Sequence, residues 1–435
     1  MTILFVTNTL PYPPTDGVRI KTYHLLKQLS KRHKIYLISF YQKATDDLKL
    51  SCSHLKQFCE IVKLLPYELN KFRNSKILLN MFNPFSNEPF FVKEYRVREM
   101  RDAIRNFLER ENIDIIHFDT ICVAHYLDSI KNSIPAVFSL NDCLALCCIE
   151  EARLFPVINF IKKTKCLLQW LEVYGYEKNL CSQFEKCHVV SETDKIYLHK
   201  MNNMIDADVI PNGVDTEFYK PLNLPQDFPS LVFEGVMSAG AADYAIWFIR
   251  YVFKHVLKVI PDTRLYLVGK NPDRKLLTIA AQNKNVIVTG FVDDVRPYID
   301  RATIFVCPVL RASGILNKVL QAMAMEKAIV GTNHGFSGIR GAVNGQNMVS
   351  ADNPRQFADE IINLIHNEEK RKLIGKNART LVKNSYSWEK TAENFESLYQ
   401  KAIEKFHSVF SVYADTNIKK EKKIFPIISK ESCKI

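Results

Sequence analysis

Two spacings of apolar residues follow one another along the chain, and they predict strands that alternate with helices. Residues 3–7 form a short apolar run that ends in the turn LPYPPTDG, and residues 19–32 read as a helix. One face of that helix carries apolar side chains every three or four positions, at Ile20, Tyr23, Leu26 and Leu29. Further strands are predicted at residues 35–40, 113–118, 136–140 and 189–191. Strands and helices in alternation indicate parallel sheets that are covered on both faces.

A second series of strand-like segments begins at Ser230, with LVFEG, RLYLVG, NVIVTG, TIFVCP and KAIVGT. The connection VIPNGVDTEFYKPLNLPQDFPS between the two series contains four prolines, which indicates a non-helical link. We therefore predict an α/β protein of two doubly wound domains, residues 1–220 and residues 221–387. Such sheets bind ligands outside the carboxyl ends of their strands, so the cleft between the domains is the expected site.

Three helical patterns close the chain. Residues 354–366 and 368–383 belong to the second domain, and residues 388–405 form one more helix. The basic tail, residues 406–435, contains KKEKK and no clear periodicity, so we expect it to be flexible.

Length, charge and cysteine spacing limit the classes of protein to which the chain can belong. A chain of 435 residues is too long for one core. The net charge of +12 favours phosphates, nucleic acid or an anionic membrane as partners, although a basic solvated surface explains it equally well. No finger, repeat or aromatic-interleaved basic motif supports nucleic-acid binding. The 11 cysteines lack metal-ligand spacing, so we expect reduced thiols and no metal site.

Targeting signals are also missing from the sequence. The first residues lack the basic start and apolar core of a signal peptide, and no run of 18 apolar residues occurs. We expect a cytoplasmic protein. Two segments, residues 71–82 and 155–171, mix basic and bulky apolar side chains, which is typical of contact with an anionic membrane surface and also of core helices with solvated lysines.

The segment RASGILNKVLQAMAM carries the clearest chemical signal. An apolar helix is predicted to start just after Gly314, with Asn317 and Lys318 in its first turn. A cation at the positive end of a helix is unfavourable by about 0.3–1 kcal/mol. Free N–H groups and an ammonium together suit a diphosphate, so we predict an anion site here. The alternative for Lys318 is a solvated surface lysine.

Several motifs resemble a known enzyme family. VIPNGVDTEFYKP, GFVDDVRPYIDRATIFVCP, GILNKVLQAMAM and SYSWEKTAENFESLYQ occur in the order seen in retaining glycosyltransferases of the GT-B fold, the large family 4-like group of bacterial mannosyl- and glucosyltransferases. The segment GILNKVLQAMAM is most similar to the exopolysaccharide-associated sugar transferases of that group. The resemblance covers about residues 1–405. It implies two Rossmann-like domains facing across a cleft, with the last helix crossing back to the N-terminal domain.

The resemblance also implies roles for individual residues. The donor, a sugar on a nucleoside diphosphate, is held mainly by the C-terminal domain, and the acceptor, a glycan or a lipid-linked glycan, mainly by the N-terminal domain. The candidate donor-binding residues are Gly17, Gly235, Gly314, Asn317, Lys318 and Gln321. The candidate catalytic residues are Asp142, which contacts a sugar hydroxyl or alternatively caps a helix, and Lys318. His117 is interpreted as a strand-end residue.

This chain departs from the family at several positions. Ser313 and Gln321 stand where many relatives have glutamates, and GVMSAGAADYA lacks the usual Arg and Lys, so Lys318 and Arg311 would supply the positive charge. The fold's usual mechanism requires no metal and no cofactor besides the donor. We interpret the Asp206-x-Asp208 match as a surface loop.

These observations lead to one principal hypothesis and one alternative. The first is a metal-independent, retaining glycosyltransferase that builds a surface polysaccharide or glycolipid. The alternative is a catalytically silent homologue that binds a glycan, a nucleotide or a protein partner.

Overall fold

Two all-parallel sheets organise the chain, as the alternation of strands and helices predicts. The computed structural model describes residues 1–42, 46–67, 88–130, 133–154, 160–310 and 315–424. The first sheet has seven strands in the order β3-β2-β1-β4-β5-β6-β7, and the second has six in the order β10-β9-β8-β11-β12-β13. The predicted fold class is confirmed.

The strands of the first sheet are β1 (Thr2–Thr7), β2 (Lys34–Gln42), β3 (Ile61–Tyr67), β4 (Ile115–Asp119), β5 (Ala136–Asn141), β6 (Lys186–Val189) and β7 (Ala207–Val209). Those of the second are β8 (Ser230–Glu234), β9 (Arg264–Val268), β10 (Val286–Gly290), β11 (Ile304–Cys307), β12 (Ile329–Gly331) and β13 (Val349–Ser350). The sequence pattern did not reveal β3, β7 and β13. β3 carries a proline, and the other two are only two or three residues long.

The described helices of the first domain are α1 (Gly17–Leu29), α2 (Leu48–Leu55), α3 (Phe90–Lys93), α4 (Arg98–Arg110), α5 (Ile121–Ala124), α6 (Leu144–Leu154), α7 (Phe160–Cys181) and α8 (Glu192–Met201). Those that follow are α9 (Ala239–Trp247), α10 (Lys254–Val259), α11 (Arg274–Ala281), α12 (Arg296–Arg301), α13 (Asn317–Ala324), α14 (Asn333–Phe336), α15 (Pro354–His366), α16 (Glu368–Ser385) and α17 (Trp388–Ile424). None of the helices within the described ranges has the length and apolar character needed to cross a membrane.

Alternate residues of β1 pack on opposite faces of the first sheet. Leu4 and Val6 join one apolar cluster, whereas Ile3 and Phe5 join the other. The second cluster also contains side chains of α1 and, from the C-terminal helix α17, Phe395 and Tyr399. The C-terminal helix therefore crosses back to the N-terminal domain, as expected.

Helix α17 extends to Ile424, so the predicted end at residue 405 is wrong. The helical backbone continues into part of the basic segment that we expected to be flexible, and the lysines and glutamates of that part have good helix propensity. Residues 425–435 lie outside the described ranges, and so do residues 71–82 of the first candidate membrane segment.

Two short contacts mark the place where the chain passes between the domains. Val214 and Ser387 form an isolated bridge, and the Val214 N–H donates to the Tyr386 carbonyl at 2.7 Å. A side chain on Gly213 would collide with Trp388 at 2.6 Å, so only glycine lets the two segments cross this closely. Across the cleft, Arg340 forms an ion pair with Glu192.

Candidate active site

Helix α13 begins without a side-chain cap. Its N-cap residue is Leu316, which makes no capping hydrogen bond, and no acidic residue lies in its first turn. The first N–H groups of such a helix need an acceptor from elsewhere, and an anion is well suited. The helix starts at Asn317, slightly later than the sequence indicates. Gly314 lies outside the described residues, together with Ser313 and Arg311.

Lys318 reaches the carboxyl end of strand β8 in the second sheet. Its Nζ donates to the carbonyl oxygen of Glu234 at 3.0 Å and lies 4.9 Å from the centre of the Phe233 ring. The side chain is half-buried, so Lys318 is not a fully solvated lysine. Its ammonium thus lies between the start of α13 and the end of β8. Parallel sheets bind ligands outside the carboxyl ends of their strands, so this is the expected position of a ligand.

Gly235 makes room for this ammonium. A Cβ atom at this position would lie 2.8 Å from the Lys318 Nζ. The structure therefore brings together two residues that the sequence selects independently, and it gives the glycine a steric reason. Whether both contact a donor remains a prediction.

The Glu234 carboxylate is a feature that the sequence analysis missed. Burial raises its pKa, and the neighbouring Lys318 ammonium opposes that effect. The Glu234 Oε2 is buried and has no hydrogen-bond partner. A charged residue as the last residue of an otherwise apolar strand was the available signal. Lys318 can offer its ammonium to a phosphate, and Glu234 can offer its carboxylate to a hydroxyl.

The other two candidates on α13 differ in their surroundings. Asn317 accepts a hydrogen bond from the Asn212 amide at 3.5 Å, which connects the interdomain link to the start of the helix. Gln321 is half-buried and lies almost one turn beyond Lys318, on a neighbouring part of the same helix face.

Gly17 is exposed, and a side chain there would meet nothing within 4 Å. The protein itself therefore does not require glycine at position 17.

Asp142 follows the last residue of β5, in the first domain. Burial and the charge of Asp194 raise its pKa to about 6, while Lys21 acts in the opposite direction. The capping role goes to other residues: Glu177 accepts from the Leu144 and Ala145 N–H groups at the start of α6. Among the described residues, Glu177 rather than Asp142 therefore caps the start of α6.

A buried ionic network supports the strand end before Asp142. Lys21 of α1 is 2% exposed, and its Nζ donates to Asp119 at 2.5 Å and to the Asn141 side chain at 2.6 Å. Asn141 has a φ of 70°, a left-handed conformation that asparagine tolerates better than most residues. Lys21 therefore holds the carboxyl ends of β4 and β5 together. Sequence analysis missed it because a lysine in a helix normally reads as solvated.

His117 lies within β4 rather than at its end. It is fully buried, and its Nδ1 is 2.6 Å from the Tyr399 hydroxyl of the C-terminal helix. Burial and the charge of Lys21 lower its pKa well below the usual value, so the imidazole is neutral. This position fits a packing role.

The Asp-x-Asp match is held in ion pairs. Lys186 lies 2.6 Å from Asp206 and 3.3 Å from Asp208, while Lys405 and Lys401 of the C-terminal helix pair with the same two carboxylates. Asp208 belongs to strand β7, so the surface-loop interpretation is wrong for that residue. Lys401 and Lys405 therefore attach the C-terminal helix to the edge of the first sheet.

Comparison with known proteins agrees with this two-domain geometry. The sequence model of Glycosyltransferase Family 4 matches residues 15–218, and that of the Glycosyl transferases group 1 matches residues 229–367. The chain is a glycosyltransferase of the GT-B fold. The boundary between the two matches falls in the proline-rich interdomain link.

Individual relatives of this glycosyltransferase are distant but cover most of its length. It is 24% identical to an uncharacterised 44.6 kDa protein of the Klebsiella pneumoniae cps region, covering 92% of this chain and 99% of that protein. It is 25% identical to the capsular polysaccharide biosynthesis glycosyltransferase CapM of Staphylococcus aureus, with coverage of 83% and 92%. The structure of HepE from Anabaena in complex with UDP superposes with a TM-score of 0.64 at 14% identity, over 92% of this chain and all of that one (100%).

Proposed function

We propose that this glycosyltransferase takes a sugar from a nucleoside-diphosphate sugar and transfers it to a glycan or lipid-linked glycan. The observation that carries the proposal is the Lys318 ammonium at the uncapped start of α13, held against the end of β8. The leaving diphosphate gains negative charge in the transition state, and a fixed cation beside free N–H groups stabilises that charge.

Four of the candidate residues have a part in this proposal. Lys318 and the first N–H groups of α13 bind the diphosphate, and Gln321 donates to or accepts from a ribose hydroxyl. Gly235 leaves the space that the Lys318 ammonium occupies. Asp142, at the carboxyl end of the facing sheet, contacts a hydroxyl of the transferred sugar or of the acceptor. We further propose retention of anomeric configuration and independence of metal, because Lys318 supplies the charge that a metal would otherwise supply.

A surface polysaccharide or glycolipid is the proposed product. CapM is named for capsular polysaccharide biosynthesis, and HepE was solved with UDP, which supports a uridine nucleotide as the first donor to test. We also propose a reducing, cytoplasmic location, since the buried cysteines Cys59, Cys143, Cys181, Cys187 and Cys307 are free thiols.

Calorimetry with UDP, GDP, ADP and dTDP tests the donor site. We expect at least one of the four to bind, and product formation from the matching sugar nucleotides to follow, unchanged by a chelator. NMR of the product's anomeric proton reports retention or inversion. If none of the nucleotides produces heat or a thermal shift, the chain lacks the proposed donor site and the silent homologue becomes the better account.

A further inference from the structure

The last residue of β8 places a carboxylate beside the cation of the proposed donor site. The backbone carbonyl of Glu234 accepts the hydrogen bond from the Lys318 Nζ at 3.0 Å. The side chain of Glu234 is not the acceptor, and its buried Oε2 has no hydrogen-bond partner among the described residues. The ammonium and the carboxylate are still close enough to interact electrostatically. An acidic group therefore lies where the proposed ligand is itself an anion.

The other titratable groups around this carboxylate are uncharged at neutral pH or lie farther away. Tyr219 of the interdomain link interacts with Glu234, and burial raises the pKa of its hydroxyl well above the ordinary value. Cys307, at the end of β11, interacts with Lys318, and burial raises the pKa of its thiol to about 11. Tyr219 interacts in turn with three further charged groups, Asp215, Asp294 and Arg296. Lys318 is thus the cation that offsets the charge of Glu234.

A carboxylate next to a phosphate-binding cation weakens an anion site in two ways. It attracts the ammonium that the phosphate needs, and it repels the phosphate directly. Both effects are strong here, because charges in a partly buried site are screened less by water and salt than charges on the surface. Both effects disappear when the carboxyl group is protonated. Burial raises the pKa of Glu234 above its ordinary value and so brings protonation nearer to neutral pH, although Lys318 opposes the shift.

We propose that Glu234 acts through Lys318 to limit the affinity of the donor site: the ionised carboxylate weakens nucleotide binding, and the protonated form leaves the ammonium free for the phosphate. This inference rests on the proposed function and specifies what sets the strength of the same donor site. Linkage is reciprocal, so a bound nucleotide must in turn favour the protonated form of Glu234. Nucleotide binding should therefore take up protons and become tighter as the pH falls.

Calorimetry on the full chain tests the inference, with UDP-glucose, GDP-glucose, ADP-glucose and dTDP-glucose as probes. The diphosphate of these compounds stays fully ionised from mildly acidic to mildly alkaline pH, so its own titration does not contribute. The parent should bind at least one probe more tightly at mildly acidic than at neutral pH. Buffers of different ionisation enthalpy should give different heats, which report the proton uptake.

Glu234→Gln should bind the same probe about 5-fold more tightly at neutral pH, at the lower end of typical coupling between two sites. It should also show less pH dependence and less proton uptake than the parent. Glu234→Met, which has neither the charge nor the hydrogen-bonding groups of glutamate, should tighten binding as well. An ionised carboxylate whose pKa is raised by folding lowers stability at neutral pH, so this variant should keep or raise the melting temperature. Circular dichroism checks that both variants fold.

Glu360→Gln is the matched control. The Glu360 Oε2 is also buried without a hydrogen-bond partner, but this residue belongs to α15, which packs against α10 and α16. Its affinity and proton uptake should equal those of the parent. Binding that both Glu234 variants weaken or leave unchanged would overturn the role of Glu234 alone, and weaker binding in both would indicate a direct ligand contact. Failure of every probe to bind the parent and the variants would overturn the donor site and this inference together.

Discussion

At the residue scale, the proposed function depends on a few charged side chains that are partly or wholly buried. The Lys318 ammonium and the Glu234 carboxylate lie together at one sheet edge, and Lys21 and Asp119 at the other. Each of these charges is partly or wholly buried, so each is costly unless it is paired or meets a ligand. Their positions therefore predict measurable effects of single substitutions.

Lys318→Met should weaken binding of the preferred nucleotide by about 10- to 100-fold, because a charge-assisted hydrogen bond contributes about 1.5–3 kcal/mol. Calorimetry measures the change. Lys372→Met is the matched control, since Lys372 is 74% exposed and pairs with Glu368 of its own helix. Equal affinity in the parent and the Lys318→Met variant would remove the phosphate role of this lysine.

The pH dependence of turnover should reflect Asp142. Its pKa is raised to about 6, so kcat/KM should rise with pH through that value if the ionised carboxylate is the active form. The charge of Asp194 favours the protonated form of Asp142, and Asp194→Asn should therefore move the midpoint below 6. Asp142→Asn should abolish the transition. A profile that stays the same in both variants would exclude Asp142 as the titrating group.

At the element scale, helix α13 and strand β8 form one unit through a single side chain. Lys318 and Glu234 are 84 positions apart in sequence, and the ammonium fills the space that Gly235 leaves open. Because Gly235 leaves the space for the Lys318 ammonium, substitutions of these two residues should not have additive effects on nucleotide binding.

Gly235→Ala should weaken nucleotide binding almost as much as Lys318→Met, because the added methyl group displaces the ammonium. The fold should survive, since the displaced atom is the end of a flexible side chain. The double variant should be no weaker than Lys318→Met alone, and this non-additivity is the decisive measurement. Additive losses would show that Gly235 acts independently of Lys318.

Gly17→Ala gives a useful contrast at the start of α1. No atom lies within 4 Å of the added methyl group, so the melting temperature should stay the same or rise slightly, since alanine loses less backbone entropy than glycine in a helix. A fall in activity without a fall in stability would then report a ligand contact at Gly17, which the structure alone does not require.

At the scale of the whole molecule, we predict contact with an anionic membrane through the N-terminal domain, on the basis of the net charge of +12 and the exposed apolar residues of that domain. On helix α7, Leu168 is 41% and Leu171 58% exposed, near Lys163 and Lys165. The same helix buries Val173 and Leu180, so it also contributes to the core.

Flotation with liposomes should recover more protein with anionic than with neutral lipid, and added salt should reduce the difference. The double variant Leu168→Ser/Leu171→Ser should float less than the parent, whereas Leu373→Ser, an exposed leucine of α16, should not. Equal recovery with both lipids, insensitive to salt, would contradict an electrostatic contact.

The amino-acid sequence by itself determined the alternation of strands and helices, the position of the interdomain link and the selection of Lys318 and Gly235. These features are local, since apolar spacing, prolines and a cation in a first helical turn can be read within a few residues. It did not reveal the short strands β7 and β13 or the full length of α17, where the periodic signal is weak.

Only the tertiary structure decided which side chains meet. Lys318 meets Glu234, and Glu177 caps a helix 33 positions earlier. Lys21 joins Asp119 to Asn141 because β4 and β5 are neighbours in the sheet. Parallel strands gather their carboxyl ends at one edge regardless of distance along the chain. Contacts made there depend on strand order and register, which are set by packing of the whole domain, so no local pattern could specify them.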